Sequence, residues 1–184
     1  TDIVPKPMVQ VGQLPILVHI MGIYAKYGHK DFIVALGYKS EVIKDYFANL
    51  SLLKSDFTVN LKSGEVSVHK GSEMDWNVTL VDTGLETMTG GRIKRLSDYI
   101  GSEDFLLTYG DGVADVDIEE TIKLHKKSDK LLTMTAVRPS ARFGELVIED
   151  NSVDSFEEKP QLDQGWINGG FFVCNAGVMD HIEG

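Results

Sequence analysis

The sequence predicts an α/β domain built on a mixed, mostly parallel sheet that is flanked by helices and carries hairpin insertions. Short, continuous apolar runs such as 31–38 are typical of strands covered on both faces. Segments with helical spacing alternate with these runs through short connections, as in parallel α/β sheets. Alternating segments around turns, at 57–71 and at 145–160, predict hairpins.

The first third of the chain shows helix, strand and helix in succession. Residues 14–30 place apolar side chains three and four positions apart, which predicts a helix, and Pro15 suits its first turn. The run 31–38 follows as a buried strand. The next segment, 39–50, is predicted to be a helix with Ser40 as its N-cap.

The remaining elements continue this alternation. Apolar runs predict strands at 77–84, 104–110 and 131–139, and a strand followed by a helix within 166–182. Helical spacing predicts helices at 90–100 and 116–127. No repeat, low-complexity tract or Pro/Gly-rich linker divides the chain, so we expect residues 1–184 to form one domain.

Charge and composition exclude several partners. The 184 residues include 28 acidic and 18 basic side chains, which gives a formal net charge of −10. This balance argues against a nucleic-acid backbone or a membrane as the main partner, but it is compatible with a small phosphorylated ligand. The single cysteine, Cys174, cannot form an internal disulfide, which favours a reducing compartment such as the cytoplasm. Its apolar setting favours a buried residue over a nucleophile.

Asp111 is the first candidate for chemistry, because it follows an apolar strand and lies between Gly110 and Gly112. Ligands of open α/β sheets bind beyond the carboxyl ends of the strands, and flanking glycines let a bulky ligand approach the backbone. A carboxylate in this place suits Mg²⁺ shared with ligand phosphates, since Mg²⁺ usually takes only one or two ligands from protein. The alternative is a turn aspartate that bonds to its own backbone.

Lys6 is the second candidate, because it lies between Pro5 and Pro7. Two prolines are expected to hold the local backbone extended, so that the lysine is an aimed charge able to neutralise a phosphate. The alternative is a solvated lysine in a proline-rich segment.

Thr87 and Arg92 lie in a segment rich in glycine and threonine that leads into a predicted helix. Backbone N–H groups and hydroxyls near a helix N-terminus can hold a base or a phosphate, and Arg92 adds a forked donor. A glycine-rich turn alone is weak evidence. An ordinary helix start with a surface arginine is the alternative.

Glu158, Lys159 and Asn168 are candidates for binding a sugar phosphate. Glu158 and Lys159 end a predicted strand before Pro160, and neighbouring strand residues point to opposite faces. The carboxylate could accept hydrogen bonds from sugar hydroxyls, while the lysine could hold the phosphate. Asn168 precedes a pair of glycines, where a ligand can approach closely. The alternatives are a charged hairpin exit and a turn asparagine.

Other polar residues point to ordinary structural roles. The stretch 115–117, Asp-Val-Asp, could mimic the metal-binding Asp-x-Asp of glycosyl transferases, but Asp115 or Asp117 is better placed to cap the next helix. His19 and His125 are expected to be packed or surface residues rather than metal ligands.

The order of these segments resembles the sugar-1-phosphate nucleotidylyltransferases. "VPKPMV", "TGLETMTGGR", "TYGDGVAD", "EEKP" and "INGGFF" occur in that order, and "YFANL", "WNVTLVDTG" and "INGGFFV" are most similar to the cytidylyl branch. The resemblance covers essentially all 184 residues. It implies a Rossmann-like core of the nucleotide-diphospho-sugar transferase type. It also implies that CTP and α-D-glucose 1-phosphate give CDP-glucose and pyrophosphate with Mg²⁺, for dideoxysugar synthesis in bacterial surface polysaccharide such as the lipopolysaccharide O-antigen.

The resemblance also implies how the nucleotide and the metal are held. Lys6 would contact the phosphates during transfer, Gly110 would lie beside the nucleotide, and Asp111 would bind Mg²⁺. Thr87 and Arg92 would recognise the cytidine nucleotide.

On the sugar side, the resemblance implies that Glu158 and Lys159 hold the glucose and its phosphate, and that Asn168 contacts the sugar. Relatives of this kind are usually multimeric, so a homo-oligomer is expected. The family also has a strand and a glycine-rich loop that would precede Thr1, and a second metal-binding aspartate that would follow the last residue. The sequence has neither, so we expect a fragment.

Three alternative functions are open on sequence grounds. The first is the same chemistry with UTP or dTTP. The second is a non-catalytic relative that binds sugar nucleotides, and the third is a metal-dependent glycosyl transferase that uses the Asp-Val-Asp stretch.

Overall fold

The computed structural model describes residues 4–70, 74–139, 145–149, 152–157 and 165–183. Within them the strands are β1 (Gln10–Val11), β2 (Leu14–Pro15), β3 (Asp31–Leu36), β4 (Asp56–Val59), β5 (Val66–Lys70), β6 (Asn77–Asp82), β7 (Phe105–Thr108), β8 (Leu132–Val137), β9 (Glu145–Glu149), β10 (Ser152–Glu157) and β11 (Ile167–Cys174). The helices are α1 (Ile16–Lys26), α2 (Ser40–Leu53), α3 (Thr89–Lys94), α4 (Ser97–Ile100) and α5 (Ile118–Lys127), with 3₁₀ turns at Lys6–Met8 and Ala176–His181.

The predicted α/β class is confirmed. Strands β3 and β6 pair in parallel, so that their carboxyl ends, Leu36 and Asp82, lie side by side. Strand β11 is the centre of a three-stranded sheet and runs antiparallel to both β7 and β8. The two predicted hairpins are present as β4–β5 and β9–β10. The structure is therefore mixed in strand direction, with helices between the strands.

Helix α1 packs on two apolar clusters at once, which explains why its sequence is apolar on more than one face. On one side, Leu17 and Met21 belong to a buried cluster with Leu36 of β3. On another, Ile20 and Tyr24 belong to a second cluster that includes residues of α5 and β11. Burial of each large aliphatic side chain contributes about 1.5–3 kcal/mol, so α1 is a main source of cohesion between these elements.

The predicted cap of α2 was wrong. Ser40 is the first helical residue, and the cap position is held by Lys39, which has a left-handed backbone with φ of 54°. No side-chain hydrogen bond caps this helix. Instead, backbone carbonyls accept from the first turn: the N–H of Ser40 donates to the carbonyl of Gly37 at 3.2 Å, and that of Val42 to the carbonyl of Lys39 at 3.2 Å.

Two other predicted helices differ from expectation. The helix predicted at 90–100 is divided into α3 and α4 at Leu96, which is buried and whose N–H donates to the carbonyl of Ile93 in a tight turn. The last predicted helix is a 3₁₀ turn that is capped by Asn175, whose side chain accepts the N–H of Gly177 at 2.9 Å. Among the described helices, none combines the length and the hydropathy needed to span a bilayer.

A cavity of about 1160 Å³ lies between β3 and β7. Residues 31–35 and 105–108 both line it, and so does α1. Among the described strands, β3 bonds only to β6, and β7 bonds only to β11. Each strand therefore has one edge without a strand partner in the described residues, and both strands line the same apolar space.

Cys174 is expected to be unreactive in the folded protein. It ends β11, is only 1 % exposed, and burial raises the pKa of its thiol to about 11. At pH 8 the folded protein should react slowly with an aromatic disulfide reagent, because the thiolate is the reactive form. The same protein in denaturant should release one equivalent of chromophore rapidly. Rapid stoichiometric labelling of the native protein would contradict this placement.

Candidate active site

Asp111 lies in the turn that follows β7, and its carboxylate is exposed. It makes no hydrogen bond or ion pair with any described residue. Other aspartates in the molecule behave differently: Asp82 accepts the N–H of Gly84 at 2.9 Å, and Asp117 accepts that of Glu120 at 2.9 Å. The interpretation of Asp111 as a turn aspartate bonded to its own backbone is thus not supported, and its oxygens are available to a cation.

Gly110 connects this turn to the proline-rich segment. A Cβ placed on Gly110 would lie 3.3 Å from Cγ of Pro7 and 3.6 Å from its Cβ, so the backbone at residue 110 packs directly on the proline ring. Lys6 precedes that proline and is exposed. The fold thus puts the segments that carry Lys6 and Asp111 in contact, although they are remote in sequence.

The predicted extended conformation around Lys6 was wrong for part of the segment. Pro5 is extended, with φ of −65° and ψ of 146°, but residues Lys6–Met8 form a 3₁₀ turn. The N–H of Met8 donates to the carbonyl of Pro5 at 2.8 Å, and that of Val9 to Lys6 at 3.1 Å. The fixed φ of Pro7 suits a helical turn as well as an extended chain, and burial of Met8 favours the turn. The lysine backbone is still held in one conformation.

Arg92 holds the turn after β6 against the end of β3. Its Nη1 donates to the carbonyl of Leu36 at 2.9 Å and to the hydroxyl of Thr83 at 2.8 Å, and its Nη2 donates to the carbonyl of Leu85 at 3.0 Å. A Cβ on Gly37 would overlap this guanidinium. Arg92 is therefore hydrogen-bonded within the turn, so the alternative interpretation of an ordinary surface arginine is wrong.

The side chains of Thr87 and Arg95 lie against the same turn, at Gly84. That glycine has a φ of +88°, and a Cβ there would lie 2.6 Å from Nη1 of Arg95 and 2.8 Å from the hydroxyl of Thr87. Arg95 also donates to the carbonyl of Thr83 at 2.6 Å. The sequence analysis singled out Thr87 and Arg92, which the structure brings to one turn, but it missed Arg95. The spacing of three residues between the arginines was the available signal.

Asn168 lies near the start of β11 and is exposed. Its Oδ1 accepts the N–H of Gly170 at 2.8 Å, and its Nδ2 donates to the hydroxyl of Tyr109 at 2.9 Å. Tyr109 immediately precedes Gly110, so Asn168 is tied to the turn that carries Asp111. The sequence analysis did not single out Tyr109, although its place directly before Gly-Asp-Gly was visible.

The remaining candidates give a mixed result. Glu158 and Lys159 lie outside the described residues. Asp117 caps α5, as predicted, through its bond to the N–H of Glu120. His125 is buried, and its Nδ1 lies 2.9 Å from the hydroxyl of Thr133, as expected of a packed histidine.

A metal ion at Asp111 would have to take most of its ligands from elsewhere. Within the described ranges, no three His, Cys, Asp or Glu side chains form a group that could hold a metal ion. A single exposed carboxylate fits Mg²⁺, which prefers oxygen and usually completes its shell with water and ligand phosphates. It does not fit Zn²⁺, whose sites use several nitrogen and sulfur ligands.

Comparison with known proteins gives consistent matches along the whole chain. Residues 1–184 match the family model of nucleotidyl transferases. The chain is 52% identical over 184 residues to the glucose-1-phosphate cytidylyltransferase of Salmonella typhi, covering 100% of this chain and 72% of that protein. It is 42% identical over 182 residues to the probable glucose-1-phosphate cytidylyltransferase of Bacillus subtilis, covering 99% of this chain and 71% of that protein. In fold it is similar to HddC from Yersinia pseudotuberculosis, with a TM-score of 0.63 at 22% identity, over 97% of this chain and 70% of that one.

The contact between Gly110 and Pro7 can be tested with paired alanine substitutions. Gly110→Ala should lower the free energy of unfolding by about 1 kcal/mol, because the new Cβ must push the proline ring away. Gly112→Ala is the matched control, because a Cβ there meets nothing within 4 Å and neither glycine has a left-handed backbone. Urea titration of both variants measures the difference. Equal stabilities would show that residue 110 does not pack on Pro7.

Proposed function

Because the chain belongs to the nucleotidyl transferase family, we propose that this protein transfers a cytidylyl group from CTP to α-D-glucose 1-phosphate. The products are CDP-glucose and pyrophosphate. The observation that carries this proposal is the 52% identity, over all 184 residues, to a glucose-1-phosphate cytidylyltransferase. The candidate site is compatible with it, because exposed cationic, anionic and amide side chains lie on segments that meet at the end of β7.

The reaction is an in-line attack by a phosphate oxygen of glucose 1-phosphate on the α-phosphorus of CTP. The bond between the α-phosphorus and the bridging oxygen breaks, and pyrophosphate leaves. The sugar phosphate is itself the nucleophile, so no protein nucleophile is needed. This agrees with the burial of Cys174, which removes the one cysteine from the reaction.

Electrostatic repulsion between the two anionic substrates is the first barrier to this reaction. Lys6, whose backbone is held in a 3₁₀ turn, would bring positive charge to the phosphates. Lys159 would do the same for the phosphate of the sugar. Asp111 would hold Mg²⁺, which when bound would neutralise the charge that develops at the α-phosphate. Holding both reactants in line can contribute roughly 7–11 kcal/mol.

Recognition of the cytidine nucleotide would come from the turn after β6. Arg92 and Thr87 give this turn a defined shape, and the Nε and the second Nη2 hydrogen of Arg92 are not used in the three bonds described above. A rigid turn of this kind discriminates between bases because a mismatched base leaves a buried polar group without its partner.

On the sugar side, Glu158 would accept hydrogen bonds from glucose hydroxyls, and Asn168 would contact the sugar. The product would supply dideoxysugar synthesis for surface polysaccharide, in the cytoplasm and from a homo-oligomeric enzyme. The glycosyl transferase alternative is weakened, because it needs Asp117 as a metal ligand and that carboxylate is engaged in capping α5.

The proposal predicts a clear nucleotide preference. The full-length protein, mixed with glucose 1-phosphate and Mg²⁺, should release pyrophosphate with CTP on the order of 100-fold faster than with UTP, dTTP or GTP. A coupled pyrophosphate assay gives the four rates directly. A preference for UTP or dTTP would replace the nucleotide in the proposal, and no release with any of the four would favour a non-catalytic role.

Asp111→Asn tests the metal role. Turnover by the full-length enzyme should fall by roughly 100-fold or more, because a divalent ion contributes several kcal/mol of transition-state stabilisation. Binding of glucose 1-phosphate, measured by calorimetry, should change much less. Asp115→Asn is the matched control, since Asp115 is also exposed and lies four residues along the same loop. Near-normal turnover in Asp111→Asn, or an equal loss in Asp115→Asn, would count against the assignment.

A further inference from the structure

We propose that Lys94 is a positioning residue for recognition of the nucleotide. It ties helix α3, which holds the turn after β6, to the 3₁₀ turn that follows β11. The turn after β6 is thereby fixed relative to the three-stranded sheet. This inference rests on the proposed function, and it goes beyond it, because Lys94 acts through the fold and not by contact with a substrate.

Helix α3 presents two faces to two different parts of the fold. Arg92 and Arg95 lie three positions apart and face the turn after β6. Arg92 donates to the hydroxyl of Thr83 at 2.8 Å, and Arg95 donates to the carbonyl of the same residue at 2.6 Å. Gly90 and Lys94 lie four positions apart and share roughly the opposite face of the helix. Contacts on that second face therefore help to set how the two arginines reach the turn.

The second face of α3 contacts the 3₁₀ turn after β11 and the residue next to it. Nζ of Lys94 donates to the carbonyl of Met179 at 2.5 Å, and Met179 is buried. A Cβ placed on Gly90 would lie 3.3 Å from Cγ2 of Ile182, so the backbone of α3 packs directly on that side chain. Two separate contacts, one polar and one apolar, thus hold α3 on this segment.

The bond from Lys94 is suited to hold one defined position. Lys94 is half-buried, and the carbonyl of Met179 is the one partner of its ammonium group among the described residues. That carbonyl lies in the last turn of the 3₁₀ segment, where it otherwise accepts only a long bond of 3.4 Å from the N–H of Ile182. Hydrogen bonds from a charged donor are stronger and shorter than neutral ones, so this bond is a main link between the two segments.

The link matters because the two proposed subsites lie on separate sheets. The turn proposed for the base follows β6, which pairs with β3, whereas Asn168 belongs to the sheet of β7, β11 and β8. Asn175 ties the start of the 3₁₀ turn to that second sheet. Its N–H donates to the carbonyl of Leu131 at 2.8 Å, and its Nδ2 donates to Asp104 at 2.8 Å. Lys94 therefore aligns the two sheets where in-line attack needs both substrates in register, and a misplacement of about 1 Å can cost roughly 100-fold in rate.

Lys94→Met tests the inference, because it removes the ammonium group and keeps an unbranched side chain. In the full-length enzyme the KM for CTP should rise by roughly 3- to 10-fold, and the preference for CTP over UTP in kcat/KM should fall by roughly 10-fold. The KM for glucose 1-phosphate should stay within about twofold. Lys94→Arg can donate to the same carbonyl and should recover most of the loss. Lys127→Met, at an exposed lysine of α5, is the matched control and should alter neither KM.

A role in stability alone predicts a different result. In that case Lys94→Met would lower the Tm but leave the KM for CTP and the preference between CTP and UTP unchanged, and this outcome would overturn the inference. Equal changes in both KM values would overturn it as well.

Ile182→Ala gives an independent test that does not depend on the folding of the lysine variant. It removes the apolar contact with Gly90 on the same face of α3, so it should also raise the KM for CTP and weaken CTP binding in calorimetry. Unchanged CTP binding in this variant would count against the inference and leave the proposed function intact. If the unmodified protein neither binds CTP nor releases pyrophosphate, the proposed function fails, and the inference fails with it.

Discussion

The packing of Gly110 on the ring of Pro7 is the contact on which the arrangement of the candidate site depends. It joins the turn after β7 to the 3₁₀ turn near the start of the chain, and so places a lysine and an aspartate on touching segments. Any side chain at residue 110 would hold these segments apart. A net charge of −10 would repel an anionic ligand. Lys6 supplies a local positive charge at an exposed position, and the contact places that charge near the turn after β7.

Elements whose signal lies within their own sequence were predictable. The apolar run of β3, the helical spacing of α1, the hairpin β4–β5 and the cap at Asp117 all follow local rules, and the structure confirms them. The predictions that were wrong concern features set by backbone conformation or by packing between elements. The start of α2 uses a left-handed backbone at Lys39, which side-chain propensity does not indicate. The helix predicted at 90–100 is interrupted where Leu96 turns into the core, and burial there overrides helix continuity.

The candidate site shows the same division. Short motifs with glycine pointed to Thr87, Arg92, Asp111 and Asn168, because glycine beside a polar residue is visible in sequence. The partners that orient these side chains were not predictable, since the bonds join different elements of the fold and no local sequence rule indicates them. The bonds from Arg92 to Leu36, from Arg95 to Thr83 and from Asn168 to Tyr109 are of this kind. Sequence patterns therefore identified the candidate side chains. Their orientation could be described only from the folded structure.

The space between β3 and β7 is bordered by strand edges that have no strand partner in the described residues. An open strand edge offers a row of amide and carbonyl groups to any extended peptide. Here, within the described strands, two such edges border one apolar gap of about 1160 Å³, so an incoming strand could form ladders with both neighbours at once. Insertion would fuse two small sheets into one wide sheet and bury the apolar walls.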